Sequence, residues 1–190
     1  MAQASQNSTS PTSEGLFSDP QLLMVHRLES TLPQIVIPEG YALRKASLED
    51  AEPLASTLLA SFGMDWNVAK VRAELLDHPD VPTTWLIACE GEVVATASYQ
   101  LKPVDFPDAG WVHWVGARAE HSGRKLGTVV TLAVLHEAVS DGKREVRLTT
   151  DDWRLPAIAS YLKLGFEPLS WHESHEARWE TVLAKLGERG

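Results

Sequence analysis

Apolar and polar positions along the chain fall into short blocks whose spacing shifts between two and three-to-four residues, as expected of strands interleaved with helices. Tyr41 to Lys45 reads as a first strand. Ser47 to Phe62 reads as a helix, because Ala51, Leu54, Ala55, Leu58 and Phe62 share one face. Pro53 leaves two ways to start it: a Ser47 cap with a kink at Pro53, or an Asp50 cap with Pro53 in the first turn. A second helix over 67–77 must stop before Pro79 and buries Val68, Val71 and Leu75. Thr83 to Cys89 and Glu92 to Gln100, separated by Glu90 and Gly91, predict an antiparallel hairpin. Beyond the loop LKPVDFPDAG, the run WVHWVGA has the aromatic and β-branched content of a buried strand.

That strand breaks into the polar, Gly-bearing stretch from His121 to Gly127, and a helix over 124–140 follows. Leu126, Val129, Val130, Ala133, Val134 and Leu135 make this helix apolar around most of its girth, so it should lie against the sheet. A strand running through a Gly-bearing turn into a helix leaves several N–H groups unpaired at the positive end of the helix dipole, an arrangement that binds anions and phosphates. Strand 146–150, helix 155–164 closed by Gly165, strand 166–171 and a last helix capped by Ser174 complete the chain. In that last helix Trp179, Val182, Leu183 and Leu186 form the apolar face. Residues 1–20 are rich in Ser, Thr, Gln and Asn and predict a disordered tail; residues 21–30 fit a short helix, and TLPQIVIPEG an extended lead-in. The expected division is a loosely attached tail over 1–34 and one domain over 35–190. The order of elements is that of an α/β domain with a mixed sheet.

Composition narrows the functions. The 190 residues suffice for one sizeable core. A formal net charge of -9 argues against nucleic-acid and polybasic membrane partners and mildly favours a cationic or neutral substrate, although solubility alone also explains it. The single cysteine, Cys89, excludes an internal disulfide framework and a multi-cysteine zinc site and suits a reducing cytoplasm. No apolar run approaches the roughly 20 residues that span a bilayer, and the N-terminus lacks an export signal, which predicts a soluble cytoplasmic protein. His172 and His175 are too close for a helical metal pair and have no third ligand beside them, so no metal is expected.

From about Tyr41 to Trp171 the chain resembles the GNAT superfamily of acyl-CoA-dependent N-acetyltransferases, on the element order and on two sites. In SGRKLG, Gly123, Arg124 and Gly127 match the family's pyrophosphate loop, while Ser122 stands where Arg or Gln is usual and Lys125 where Gly is usual. In RLPAIASYLKLGFEP, Ala157, Tyr161, Gly165 and Phe166 match the pattern Asn, two residues, Ala, three residues, Tyr, three residues, Gly-Phe, with Arg154 in place of Asn. The runs TDDWRLPAI and WVHWVGA are also similar to a subgroup around mycothiol synthase.

The resemblance implies acetyl transfer from acetyl-CoA to a primary amine by direct attack, with no covalent enzyme intermediate and no metal. It implies a small-molecule or peptide acceptor, and a monomer or homodimer. Val115, Gly116 and Ala117 would face the pantetheine and acetyl carbonyl. Gly123, Arg124, Lys125, Leu126, Gly127 and Thr128 would hold the diphosphate, and Tyr161 would protonate the departing thiolate. Asp65 and Trp66 would line the acceptor pocket.

Three assignments carry a plainer alternative. His113 stands roughly where many relatives carry a basic Glu, and equally suits a packed strand histidine. Asp151 and Asp152 follow a strand's C-terminal end, where they can bind the amine, serve as base, or merely cap the next helix. Tyr161 can also be an amphipathic residue buried on a helix face. A second class of function stays open: a non-catalytic module that binds CoA or acyl-CoA.

Overall fold

The computed structural model describes residues 19–29, 31–63, 65–102 and 104–188. Its seven strands are β1 (Leu22–Arg27), β2 (Tyr41–Lys45), β3 (Thr83–Cys89), β4 (Glu92–Lys102), β5 (Phe106–Ala117), β6 (Glu145–Thr150) and β7 (Glu167–Leu169). They form one sheet in the order β2-β3-β4-β5-β6-β1-β7, antiparallel throughout except where β5 meets β6. This is the mixed sheet of an α/β domain that the element order predicts, and it is mostly antiparallel and flanked by helices on both faces, as the family resemblance implies.

The β3–β4 hairpin turns on Glu90 and Gly91, both left-handed (φ 51° and 86°), the backbone that a tight two-residue turn requires. Helix α1 (Ala51–Phe62) is preceded by a 3-10 turn, Leu48–Asp50, in which Ser47 and Asp50 cap each other reciprocally. Both starts read from the sequence are therefore partly realised, and Pro53 lies in the first turn of α1, where its missing N–H costs nothing. Arg44 grips Asp50 with both terminal nitrogens (2.7 and 2.6 Å) and holds its carboxyl down to about 2. Helix α2 (Val68–Val71), capped by Asn67, widens into a π turn over Arg72–Leu76. Val71 and Leu75 are buried as expected, but Val68 is exposed, because the short α2 rests on α1 by one narrow edge. These elements share a small core with Leu86 and Val93 on one face of the sheet.

The larger core lies on the other face. Helix α3 (Leu126–Ser140) packs there with the expected apolar girth, burying Val129, Val130, Val134 and Leu135 against β4, β5 and β6. Helices α4 (Leu155–Lys163) and α5 (His175–Gly187) extend the same layer through Ile158, Trp179 and Val182; Leu183 faces solvent instead of the core.

The N-terminal boundary differs from the expectation. Residues 22–27 form a strand inserted between β6 and β7, not a helix, and the ordered domain therefore begins well before residue 35. Leu22 and Met24 are fully buried (0% exposed) in the larger core, while Leu23 and Val25 are buried on the opposite face. A strand covered on both faces shows no alternation, so its apolar run cannot be told from a short helix by periodicity. The expected tail over 1–18 lies outside the described residues.

Candidate active site

Among the described residues one strand pairing is parallel, and it ends early. β5 and β6 are in register at Ala109↔Glu145, Gly110↔Val146 and Trp111↔Arg147, and beyond these pairs the two strands part. A cavity of about 370 Å³ fills the wedge, walled by Val112 to Val115 on one side and Leu148 to Asp151 on the other. Phe62, Arg154, Tyr161 and Gln21 complete the lining.

A bulge shapes the β5 wall. Thr96 faces Gly116 and Ser98 faces His113, so Ala97 alone stands opposite Trp114 and Val115. Trp114 carries the extra residue's strain in a left-handed backbone (φ 51°), a conformation costing on the order of 1–3 kcal/mol for a bulky side chain. Edge-on contacts with Trp66 (4.8 Å) and Phe62 (5.2 Å) hold it there. Past the bulge, Arg118 donates from its backbone to Val94 at 2.9 Å, so strand alternation turns the Ala117 N–H away from β4 and the Gly116 N–H toward it. Gly116 has its own packing reason: a Cβ there would sit 2.8 Å from Ser61 Oγ and 3.2 Å from the Phe62 ring.

The turn after β5 keeps its amides free. A 3-10 turn over Ala119–His121 leads through Gly123 (φ 81°) and Lys125 (φ 59°) into α3. The left-handed Lys125 delays the helix to Leu126, two residues later than its apolar pattern suggests. The first amide bonded back is that of Val129, to the Lys125 carbonyl at 3.1 Å. Among the described residues, the amides of 123–128 donate to no protein acceptor. Six consecutive free donors at the start of a fifteen-residue helix, with the exposed cations Arg124 and Lys125 alongside, suit a diphosphate. Arg124 lies 6.0 Å over the Tyr41 ring, whose hydroxyl pairs with His121 Nδ1 at 2.8 Å. The turn adjoins the cavity: a Cβ on Gly127 would be 3.9 Å from Val115, which lines the wedge.

Tyr161 enters the wedge from α4. Gly165 (φ 94°) ends that helix, with Phe166 N–H returned to the Tyr161 carbonyl at 3.0 Å, and the buried Phe166 ring braces Tyr161 at 5.8 Å. The Gly-Phe pair thus works as a helix stop and a core anchor that fix the tyrosine. Tyr161 is 8% exposed, its hydroxyl has no hydrogen-bond partner among the described residues, and burial pushes the phenol up to about 12, opposed by the nearby Arg154 charge.

His113 also lines the cavity, on β5 opposite Ser98. Burial, with Lys102 and His78 nearby, pushes its imidazole down to about 4, so the ring is neutral at pH 7 and a weak proton acceptor. Asp151 reaches the cavity with both oxygens occupied: Oδ1 accepts from Gln21 Nε2 at 2.9 Å and Oδ2 from Arg154 Nε at 3.1 Å.

The remaining expected acceptor residues lie elsewhere. Asp65 points to solvent (85% exposed side chain) and pairs with Lys70 at 2.9 Å. Trp66 is core, 4% exposed beneath Trp114, because the short α1–α2 link folds it inward against α1. Asp152 accepts from Arg178 Nε at 2.9 Å, tying the β6–α4 loop to α5 instead of lining the cavity. Gln21, Phe62 and Arg154 are lining residues that pattern reading did not select. Arg154 had a signal, its substitution into the helix motif, whereas Phe62 read as core and Gln21 as tail.

Comparison with known proteins bears on this geometry. Residues 51–166 match the acetyltransferase (GNAT) family, and the chain belongs to that family. It is 34% identical over 164 residues to a mycothiol acetyltransferase of a Nocardioides species, covering 76% of this chain and 56% of the relative. A mycothiol acetyltransferase of Nocardia farcinica is 30% identical over 169 residues, covering 81% and 55%. The chain therefore spans about half the length of these curated relatives. In fold it is similar to a GCN5-related N-acetyltransferase from Sphaerobacter thermophilus, with TM-score 0.65, 22% identity, and coverage of 80% of this chain and 50% of that one. No helix among the described residues is long and apolar enough to cross a membrane.

Proposed function

We propose that this domain transfers an acetyl group from acetyl-CoA to a primary amine of a small-molecule acceptor in the cytoplasm. The observation that carries the reading is the wedge between β5 and β6, which adjoins a row of six free amides and holds the unpartnered Tyr161 hydroxyl. Family membership and relatives named as mycothiol acetyltransferases support acetyl transfer to a small molecule.

Acetyl-CoA supplies an activated thioester, and the chain's residues do the rest. The amides of 123–128, with Arg124 and Lys125, hold the diphosphate by charge-assisted hydrogen bonds. The Ala117 amide, facing away from β4, and the bulged backbone at Val115 would be available to the acetyl carbonyl. Attack requires the neutral amine, and a neutral His113 accepts a hydrogen bond from it without competing for its proton. Tyr161 gives its hydroxyl proton to the departing sulfur.

The test is release of free thiol from acetyl-CoA across a panel of amines, alongside calorimetry with CoA. Turnover with at least one amine is expected. CoA binding with no turnover for any amine would replace the enzyme by a non-catalytic CoA-binding module.

A further inference from the structure

Arg154 is anchored without being used up. Its backbone N–H meets the Asp151 carbonyl at 3.0 Å and its Nε meets Asp151 Oδ2 at 3.1 Å, while Gln21, just ahead of β1, donates to the same carboxylate. Its two terminal guanidinium nitrogens have no hydrogen-bond acceptor among the described residues. The guanidinium carbon lies 4.9 Å from the centre of the Phe62 ring and 4.6 Å from that of Trp153, so rings from two separate segments flank it. An arginine held at Nε and resting against two rings has surrendered part of its rotamer freedom beforehand, which suits it to receive an anion with its open fork.

Its position gives that anion an identity. Arg154 is the N-cap of α4 and Tyr161 lies on that helix's buried side, so the cation stands at the head of the helix that carries the phenol. Both side chains line the same wedge, and the Arg154 charge acts on the Tyr161 hydroxyl against the effect of burial. A phenol made less acidic by burial yields its proton late, so negative charge must rest on the leaving sulfur for part of the step. A fixed cation on the cavity wall is a group that lowers the cost of that charge.

We propose that the terminal nitrogens of Arg154 stabilise the thiolate released in acetyl transfer, making Arg154 a catalytic residue beside Tyr161. This rests on the acetyltransferase reading above. The amine lone pair forms the N–C bond to the acetyl carbon, and the C–S bond breaks with its electron pair on sulfur. Tyr161 passes its proton to that sulfur and regains one from solvent, which takes up the proton lost by the nitrogen. The products are the acetamide and free CoA thiol, with no change in oxidation state.

The experiment follows CoA bound to the full chain across pH by the ultraviolet absorption of its thiolate, in wild type, Arg154→Gln and Arg154→Lys. The bound thiol should ionise at least about one pH unit below free CoA in wild type, nearly so in the Lys variant, and at or above the free value in the Gln variant. Arg154→Gln should lower kcat on the order of 10²-fold with KM for acetyl-CoA within about threefold. Arg154→Asn supplies a second neutral variant should the Gln variant unfold. Identical thiol titration in wild type and neutral variants, with CoA still bound, overturns the proposal. So does a loss confined to KM for carboxylate-bearing amines, which would make the fork an acceptor site. Absence of CoA binding to wild type is a different failure, removing the acetyltransferase reading along with this one.

Discussion

Gln21 donates from Nε2 to Oδ1 of Asp151 at 2.9 Å, joining residues 130 positions apart in the chain. Strand β1 delivers that glutamine, so the N-terminal segment belongs to both the sheet and the site.

If β1 is integral to the core, emptying its centre should be costly. Met24→Ala removes a fully buried side chain packed in the larger core. A loss of about 2–5 kcal/mol is expected, read as a fall in Tm on the order of 10 °C. An unchanged melting curve would show that the segment is a dispensable appendage.

Tyr161→Phe removes only a hydroxyl that has no protein partner among the described residues, so the fold should tolerate it. Turnover should fall by about 10²- to 10⁴-fold, with CoA affinity within about threefold. Equal kcat in the variant would remove Tyr161 from the chemistry.

His113 predicts a pH dependence of stability. Its folded pKa, about 4, lies below the ordinary value of 6.5, chiefly through burial. Between those limits the unfolded chain binds more protons than the folded one, so stability rises with pH across that window and is lost as pH falls from about 6.5 to 4. The full effect is at most about 3 kcal/mol. Denaturant titrations of wild type and His113→Asn should differ in slope over this window only. In activity profiles, any acid limb that His113 causes should lie near pH 4 and not near 6.5.

Lys125 occupies a left-handed position (φ 59°) at the start of α3. Lys125→Gly should relieve about 1 kcal/mol of backbone strain, partly offset by the freedom glycine gains in the unfolded chain. Unfolding experiments should show a stability equal to or slightly above wild type. CoA affinity, measured by calorimetry at low salt, should weaken severalfold through loss of the charge. A destabilised Gly variant would mean that the lysine side chain supports the turn.

How much of this was legible before the structure depended on whether local chemistry decided the outcome. Glu90-Gly91 and the apolar girth of α3 are set by nearby residues, and the sequence reading placed both; it offered Ser47 and Asp50 as alternative caps, where the structure uses the two together. The strand over 22–27 was misread as helix because its partners, β6 and β7, lie more than 100 residues away and bury both its faces. Val68 and Leu183 carry the right spacing for a buried face, but no neighbouring layer reaches them. In the site, Tyr161 was reachable through the Gly-Phe register. Trp66 was not, since it packs beneath Trp114, whose strained position comes from a bulge no spacing rule announces. Lys125 was noted as an unusual residue at its position, but its delay of the helix start becomes visible only with its backbone angle.

The seam between β5 and β6 is three residue pairs long. Past Trp111 and Arg147, among the described residues, no ladder bond joins the two halves of the sheet, so they are like book covers sharing a short spine. How far they open is governed by what spans them from outside: α3 across one face, and the Phe62–Arg154 stack reaching from one cover to the other. Width at the mouth is therefore a property of side chains, and it can be retuned by substitution without disturbing a single strand pairing.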